Sequence, residues 1–450
     1  MEYSELTSRI TEMTVEENEF IYKEDSDCEP AIYLIRSGTV HLSSENHSST
    51  FPDTTCSAGG YFGVHSTVYY KTPIASALAT EKCVLGVLKK SEIKTVIRSM
   101  TRLNQDPKKL RESELQKRAK RMIALKDLEK HRLLGVGTFG KVWLVSRKVG
   151  GKIEAYALKV QRKRQLIQYS QVEGVIREIK LMSKLDHPFI LGLVNMYHDS
   201  TTVMMLLNLV QGGELYSLMK RYKNMALPER DAKFYSAGIL EGLHYMHYHS
   251  IIYRDLKPEN VLIGTDGYPV IVDLGFAKEV KGKTFTLCGT PWYIAPEVIL
   301  GRGHDKACDY WSWCVLVHEL VTGDTPFQEH GIDQMTLFKG IVKGDYRISH
   351  RAGVVAQDLI KNILVVKPQY RLGNLSGGCK DIKMHAWLKD VDFNKMSKKV
   401  FRAPWTPSVK DPLDADAFDN LDHVAKDEKE KPLNAAEQKQ FEELDQLTVV

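Results

Sequence analysis

The chain has 450 residues, 43% of them hydrophobic and 26% charged, with a formal net charge of +5. That length supports two or three domains, each with its own core, and the composition is that of an ordinary globular protein. So mild a charge does not imply nucleic acid or membrane binding, and no apolar run approaches the length of a membrane span. Seven cysteines are scattered with no CxxC pair, which argues for reduced thiols and against zinc or a disulfide framework. The N-terminus lacks a basic stretch followed by an apolar one, so the expected location is cytoplasmic.

Residues 1–104 read as a small β-rich domain. Ala31 to Ile35 is β-prone, Ser37-Gly38 makes a turn, and Thr39 to Leu42 resumes a strand. Gly59-Gly60 forces another turn, two short apolar runs lie between Ala75 and Leu88, and Ser91 to Met100 looks helical. No metal or nucleophile constellation stands here, so the residues alone suggest a binding or scaffold barrel. Phe20 to Asp25, Ile32 to Val40, Tyr61-Phe62-Gly63 and Tyr70 to Leu88 resemble a cyclic-nucleotide-binding domain. The resemblance implies a Glu for the ribose and an Arg for the cyclic phosphate; those positions read Val64 and Ile74. Losing the Arg removes a charge-assisted partner worth about 1.5–3 kcal/mol. The expectation is a degenerate domain that no longer takes cyclic nucleotides, or an altered pocket for another nucleoside-like ligand.

Residues 105–127 are rich in Lys and Arg and read as a solvated helical linker. The alternative is that Arg118-Ala119-Lys120-Arg121 mimics a substrate and blocks a site in cis.

Leu134-Gly135-Val136-Gly137-Thr138-Phe139-Gly140-Lys141-Val142 is a GxGxxG stretch. In a dinucleotide-binding turn the glycines lead into a helix. Here Trp143 to Ser146, Gly150-Gly151 and Ala155 to Val160 come next, which reads strand, turn, strand. A hairpin folding its glycine turn over nucleotide phosphates fits. Lys159 ends an apolar strand, a costly place for an unpaired charge; Glu178, on the helical run Val175 to Leu185, is its candidate partner.

Tyr253-Arg254-Asp255-Leu256-Lys257-Pro258-Glu259-Asn260 lies between a helix-like run and a short β-like run. Asp255 can accept a hydroxyl proton, Lys257 can steady a phosphoryl group, and Asn260 can hold a metal. The block resembles the catalytic loop of protein kinases, with Tyr253 where most carry His.

That resemblance assigns roles to residues on both sides of the loop. Leu207 takes the gatekeeping position before a hinge at Asn208 to Glu214, Asp273 of Asp273-Leu274-Gly275 holds Mg²⁺, and Lys159 holds the phosphates of ATP. Thr286 sits where a phosphate would pair Arg254 and Lys278, and Glu297 is expected to pair Arg371. Asp309 to Cys314 fits the buried helix under the catalytic loop, with Cys314 and Trp292 at unusual positions. The Tyr-Arg-Asp loop, Phe276-Ala277-Lys278 and Leu287 to Pro291 are similar to the AGC group of serine/threonine kinases. The whole arrangement looks most like a cyclic-GMP-dependent protein kinase.

The fold implied is α+β: a bilobal protein kinase domain at 128–387 (small lobe 128–210, large lobe 211–387) preceded by a small β-barrel. An AGC-type tail at 388–450 completes it, with Phe418-Asp419 near the adenine site. The segment after 421 lacks the terminal aromatic pair that docks on the small lobe, so it is expected to be loose or helical. The implied substrates are proteins with basic residues before the acceptor Ser or Thr, read by Glu214 and Glu259. Leu287, Pro291 and Ile294 would meet an apolar residue after it. A further acidic reader found in related kinases is expected to be replaced here by Lys339. The rival to an active kinase is a non-catalytic kinase-fold scaffold, and a second is a nucleotide-gated sensor.

Overall fold

The computed structural model describes residues 10–44, 54–63, 67, 72–73, 75–92, 123–327, 331–419, 421–424 and 431–447. The chain divides into two compact units, Met1–Arg118 and Ala119–Val450. Val64, Ile74 and Arg118 to Arg121 lie outside the described residues. So do most of the basic linker and all but the start of the helix expected over Ser91 to Met100.

Among its described residues the first unit has eight strands: β1 (Thr11–Val15), β2 (Phe20–Tyr22), β3 (Ala31–Ser37), β4 (Thr39–Ser43), β5 (Thr54–Ser57), β6 (Tyr61–Phe62), β7 (Ser76–Ala79) and β8 (Cys83–Lys89). They form two four-stranded sheets, ordered β1-β8-β3-β6 and β2-β7-β4-β5. Side chains alternate across a pleated strand, so Ala31, Tyr33 and Ile35 of β3 and Val40 and Leu42 of β4 turn inward. Both sheets feed one core with Phe62, Ala77 and Leu85.

The second unit opens with a five-stranded antiparallel sheet in the order β12-β13-β11-β10-β9. Its strands are β9 (Glu129–Gly137), β10 (Gly140–Val149), β11 (Lys152–Arg162), β12 (Leu193–His198) and β13 (Thr202–Asn208). Two helices accompany it, α1 (Lys163–Gln168) and α2 (Val172–Lys184). On α2, Val175, Ile176, Ile179 and Met182 recur at helical spacing and are buried. Glu178 shares that face, so a carboxylate is carried inward with the apolar stripe.

The large lobe is organised on α3 (Glu229–Tyr248) and α4 (Ala307–Thr322). All 16 residues of α4 are buried, as a helix hydrophobic around its circumference requires. Trp313 Nε1 donates to the Ser236 carbonyl at 2.9 Å and ties α4 to α3. Cys314 is fully buried with its thiol 3.8 Å from the Ile360 carbonyl, and Trp292 packs against the same core. Glu297 and Arg371 form the expected bridge, a fork of 2.7 and 2.9 Å around a guanidinium with no exposed surface.

The chain beyond the large lobe returns to the small lobe. Gln211 Nε2 donates to the carbonyls of Asp411, Pro412 and Asp414 at 2.9–3.3 Å. Phe418 packs on the cluster of Leu134, Leu144 and Ala415. The last segment corrects the sequence reading: it is helical, but it is docked. Helices α5 (Ala435–Lys439) and α6 (Glu443–Leu447) bury Phe441 to 1% and Leu444 to 0% exposure in the core shared with α2. One aromatic and one Leu, three positions apart, fill the space that an aromatic pair was expected to need. Lys163, itself buried, donates to Gln438 Oε1 at 2.8 Å and lies 4.8 Å over the Phe441 ring. Lys180 pairs with Glu443, and Asp445 meets His198 at 3.0 Å.

Phe441→Ala should leave a cavity costing about 3–5 kcal/mol and lower the thermal midpoint of the second unit. A midpoint equal to wild type would show that the segment is not held there.

Candidate functional site

Strand register sets the nucleotide-facing side of the small lobe. Val142 of β10 pairs with Gly135 of β9 on one side and Lys159 of β11 on the other. A Cβ on Gly140 would stand 1.8 Å from the Val160 carbonyl oxygen, so the turn back into the sheet requires glycine there. Gly135 and Gly137 differ: a Cβ on Gly135 meets nothing within 4 Å and one on Gly137 only the Gly140 carbonyl at 4.0 Å. Their lack of a side chain is thus not demanded by the protein's own packing. The floor is apolar, with Leu134 and Leu144 buried and Val142, Ala157 and Leu209 around them. Leu207 is 5% exposed behind it.

A cleft of about 350 Å³ runs from this loop to Asp273 and is lined by Thr138, Phe139, Lys141, Lys159 and Glu178. Lys159 Nζ donates to Glu178 Oε1 at 2.7 Å. Burial works to lower the lysine's pKa, but the charges of Glu178 and Asp273 outweigh it and hold the ammonium above its ordinary value. The Asp273 carboxylate is exposed to the cleft, with Oδ1 accepting from the Gly275 amide at 3.1 Å. Leu274 behind it is 1% exposed, so this apolar residue packs where it was expected to.

The catalytic loop lies between α3 and the hairpin of Val261–Ile263 with Pro269–Ile271. Asn260 Nδ2 donates to Asp255 Oδ2 and to its carbonyl, both at 2.8 Å. Thr290 Oγ donates to Asp255 Oδ1 at 2.8 Å and accepts from Lys257 Nζ at 3.1 Å, which itself stands 3.6 Å from Asp255. The carboxylate is thus fixed at both oxygens beside a cation, in a position to take a proton from a hydroxyl. Gly289 (φ 108°) lets the activation segment pass close to the loop, where a Cβ would stand 2.7 Å from the Arg254 carbonyl oxygen and collide. Tyr253, in the place of the usual His, is fully buried and donates to the Val272 carbonyl at 2.6 Å.

Thr286 is exposed, while Lys278 donates to the buried Thr284 hydroxyl at 3.1 Å. Arg254 Nε donates to the Phe276 carbonyl at 2.8 Å, and its buried Nη1 has no hydrogen-bond partner. Arg177 on α2 also has a buried, unpartnered Nε, and its charge reaches Cys288 together with that of Arg254. Arg177 was not read from the sequence, although it sits next to Glu178.

Glu214 and Glu259 are exposed and close enough that burial and the Glu259 charge raise the Glu214 pKa. The structure adds a third carboxylate beside them, Glu319 of α4. Lys339 lies on the exposed side of the helix Gln334–Lys343, whereas Glu319 is buried, accepts from the Tyr293 hydroxyl and feels the Glu259 charge. Burial pushes Glu319 up to about 7, with Glu259 and Asp324 adding to it and Tyr293 opposing. Beside these acids, Leu287 is 57% exposed, Pro291 half-buried and Ile294 buried.

This constellation is the set of parts that defines a protein kinase. Residues 128–388 match the protein kinase domain and residues 12–100 the cyclic nucleotide-binding domain. The chain belongs to the protein kinase family. It is 38% identical over 287 residues to cAMP-dependent protein kinase type 3 of Saccharomyces cerevisiae, covering 64% of this chain and 71% of that one. It is 41% identical over 290 residues to cGMP-dependent protein kinase 2 of Mus musculus, covering 64% and 37%. The cAMP-dependent protein kinase catalytic subunit of Dictyostelium discoideum is 37% identical over 298 residues, covering 66% and 45%. The chain thus spans less than half the length of two of these three relatives.

Glu319 gives a test by titration. A carboxyl raised from its unfolded value of 4.5 to about 7 binds more protons folded than unfolded, so its contribution to stability falls as pH rises through that window. Glu319→Gln should therefore gain on wild type by up to about 3 kcal/mol between pH 4.5 and 7. A stability difference independent of pH would contradict the buried, raised carboxyl.

Proposed function

We propose that the chain transfers the γ-phosphoryl group of ATP to serine or threonine hydroxyls of proteins. The observation that carries this reading is the fixed Asp255–Asn260–Thr290–Lys257 network in the same unit as the Lys159–Glu178 pair and the Asp273 carboxylate. Asp255 takes the hydroxyl proton as the acceptor oxygen attacks. Lys257 steadies the transferring group, and Lys159, kept charged by Glu178, holds the phosphates under the open Gly135–Gly137 turn. Asn260 and Asp273 are the oxygen donors that would hold Mg²⁺, which when bound neutralises phosphate charge. Leu134 to Val142 cover the nucleotide. Lys159, Glu178, Asp255, Lys257, Asn260 and Asp273 all being in place supports an enzyme over a scaffold.

Substrates carry basic residues upstream of the acceptor, read by Glu214, Glu259 and the newly found Glu319, and an apolar residue downstream against Leu287, Pro291 and Ile294. A phosphate on Thr286 orders the activation segment through the free valences of Arg254 and Arg177 and through Lys278. The match over 12–100 supports a first domain within 1–104, and the match over 128–388 a kinase domain at 128–387; we place the linker at 105–127 and the tail at 388–450. We infer that the N-terminal domain does not gate the kinase by cyclic GMP or cyclic AMP. Val64 and Ile74, in place of a carboxylate and a guanidinium, support that from the sequence, since a desolvated anion without a partner costs several kcal/mol. A ligand that scarcely binds cannot shift the active equilibrium. No helix among the described residues is long and apolar enough to cross a membrane, and the location proposed is cytoplasmic.

One assay addresses both claims. The full chain should phosphorylate a serine peptide with upstream arginines, Asp273→Ala should abolish transfer, and micromolar cyclic GMP or cyclic AMP should leave the wild-type rate unchanged. Undiminished transfer by Asp273→Ala would overturn the catalytic assignment; activation by either nucleotide would overturn the reading of the N-terminal pocket.

A further inference from the structure

The large lobe has a second cleft, of about 490 Å³, that shares no residue with the one under the glycine loop. Its charged lining is three lysines, Lys306 at the start of α4 and Lys380 and Lys383 on the helix Cys379–Met384, with His244 and His247 of α3 beside them. No carboxylate is among the lining residues, and Asp381 stands at its edge, packed beside Gly377. Lys383 is paired with Glu241 outside the lining, but Lys306 and Lys380 are exposed and have no acidic partner among the described residues. The field is felt inside the cleft: burial, then the charges of Lys383, His247 and Lys306, act to lower the His244 pKa, with Glu241 opposing.

Three elements that are far apart in sequence bring five nitrogen-bearing side chains to one concavity. Unneutralised lysines round a concave surface focus potential there, and a lysine ammonium suits a phosphate oxygen as a point charge. The volume falls in the range of small-molecule sites, about 300–1,000 Å³, which is roomy for a lone phosphate. We propose that this cleft binds a small polyphosphate anion, held by Lys306, Lys380 and Lys383. His247 gives the site a direct neighbour in the catalytic machinery. Its Nε2 lies 2.7 Å from Asp309 Oδ2, the same oxygen that accepts the Tyr253 amide, and its Nδ1 lies 3.3 Å from the Tyr310 hydroxyl. A bound anion thus stands one side chain away from the anchor of the catalytic loop.

The test is calorimetric titration of the full chain, kept saturated with a non-hydrolysable ATP analogue so that the nucleotide cleft is occupied. Tripolyphosphate and inositol hexakisphosphate serve as probes and separate a linear source of the phosphates from a ring-borne one. At least one probe should bind with micromolar Kd, more weakly as salt rises. The double substitution Lys306→Glu and Lys380→Glu should weaken that probe at least tenfold while leaving binding of the ATP analogue unchanged, which also reports that the variant is folded. Failure of both probes to bind wild type, or equal binding to the double variant, would overturn the proposal.

Discussion

The catalytic loop depends on one buried carboxylate. Asp309 has no exposed surface, and its two oxygens accept the Tyr253 amide at 2.9 Å and the Arg254 amide at 2.8 Å, with His247 at 2.7 Å. Arg254 sits at φ 72°, a conformation that costs a non-glycine residue about 1–3 kcal/mol unless its surroundings impose it. Charge-assisted bonds from a desolvated carboxylate to both amides supply that imposition. Asp255 is the very next residue, so the direction of its side chain is inherited from α4 through Asp309. The complete burial of α4 makes the anchor rigid.

Two ion pairs extend the same principle. Glu297 with Arg371, and Lys159 with Glu178, are enclosed pairs whose attraction is offset by loss of water. Their value lies in geometry: each allows one arrangement of the segments it joins. Glu178 reaches Lys159 only when the apolar face of α2 is packed, and that packing now includes Phe441 and Leu444 of the last segment. Lys163, also buried, holds that segment through Gln438.

How much of this was legible in the sequence depends on how local each signal is. The glycine turn, Lys159, the Tyr253–Asn260 block and Asp273 announce themselves by residue type and spacing, and all lie in one unit of the structure. The β character of residues 11–89 was legible from alternation. Glu319 was not, because an acid inside a run of sixteen buried residues reads as part of a helix; its meaning comes from Tyr293 and Glu259, 26 and 60 positions away. Arg177 was hidden by the more obvious Glu178 beside it. Phe441 and Leu444 were missed because an aromatic pair was sought, whereas the cavity selects for volume and apolarity.

The dependence of the catalytic loop on Asp309 is measured by the phosphotransfer rate of Asp309→Asn at saturating ATP and peptide. That substitution keeps the shape while removing the charge and one acceptor. The expected kcat is lower by at least a hundredfold, or about 2.7 kcal/mol in the barrier, with the KM for ATP little changed. A kcat within about threefold of wild type would show that the loop holds its geometry without the carboxylate.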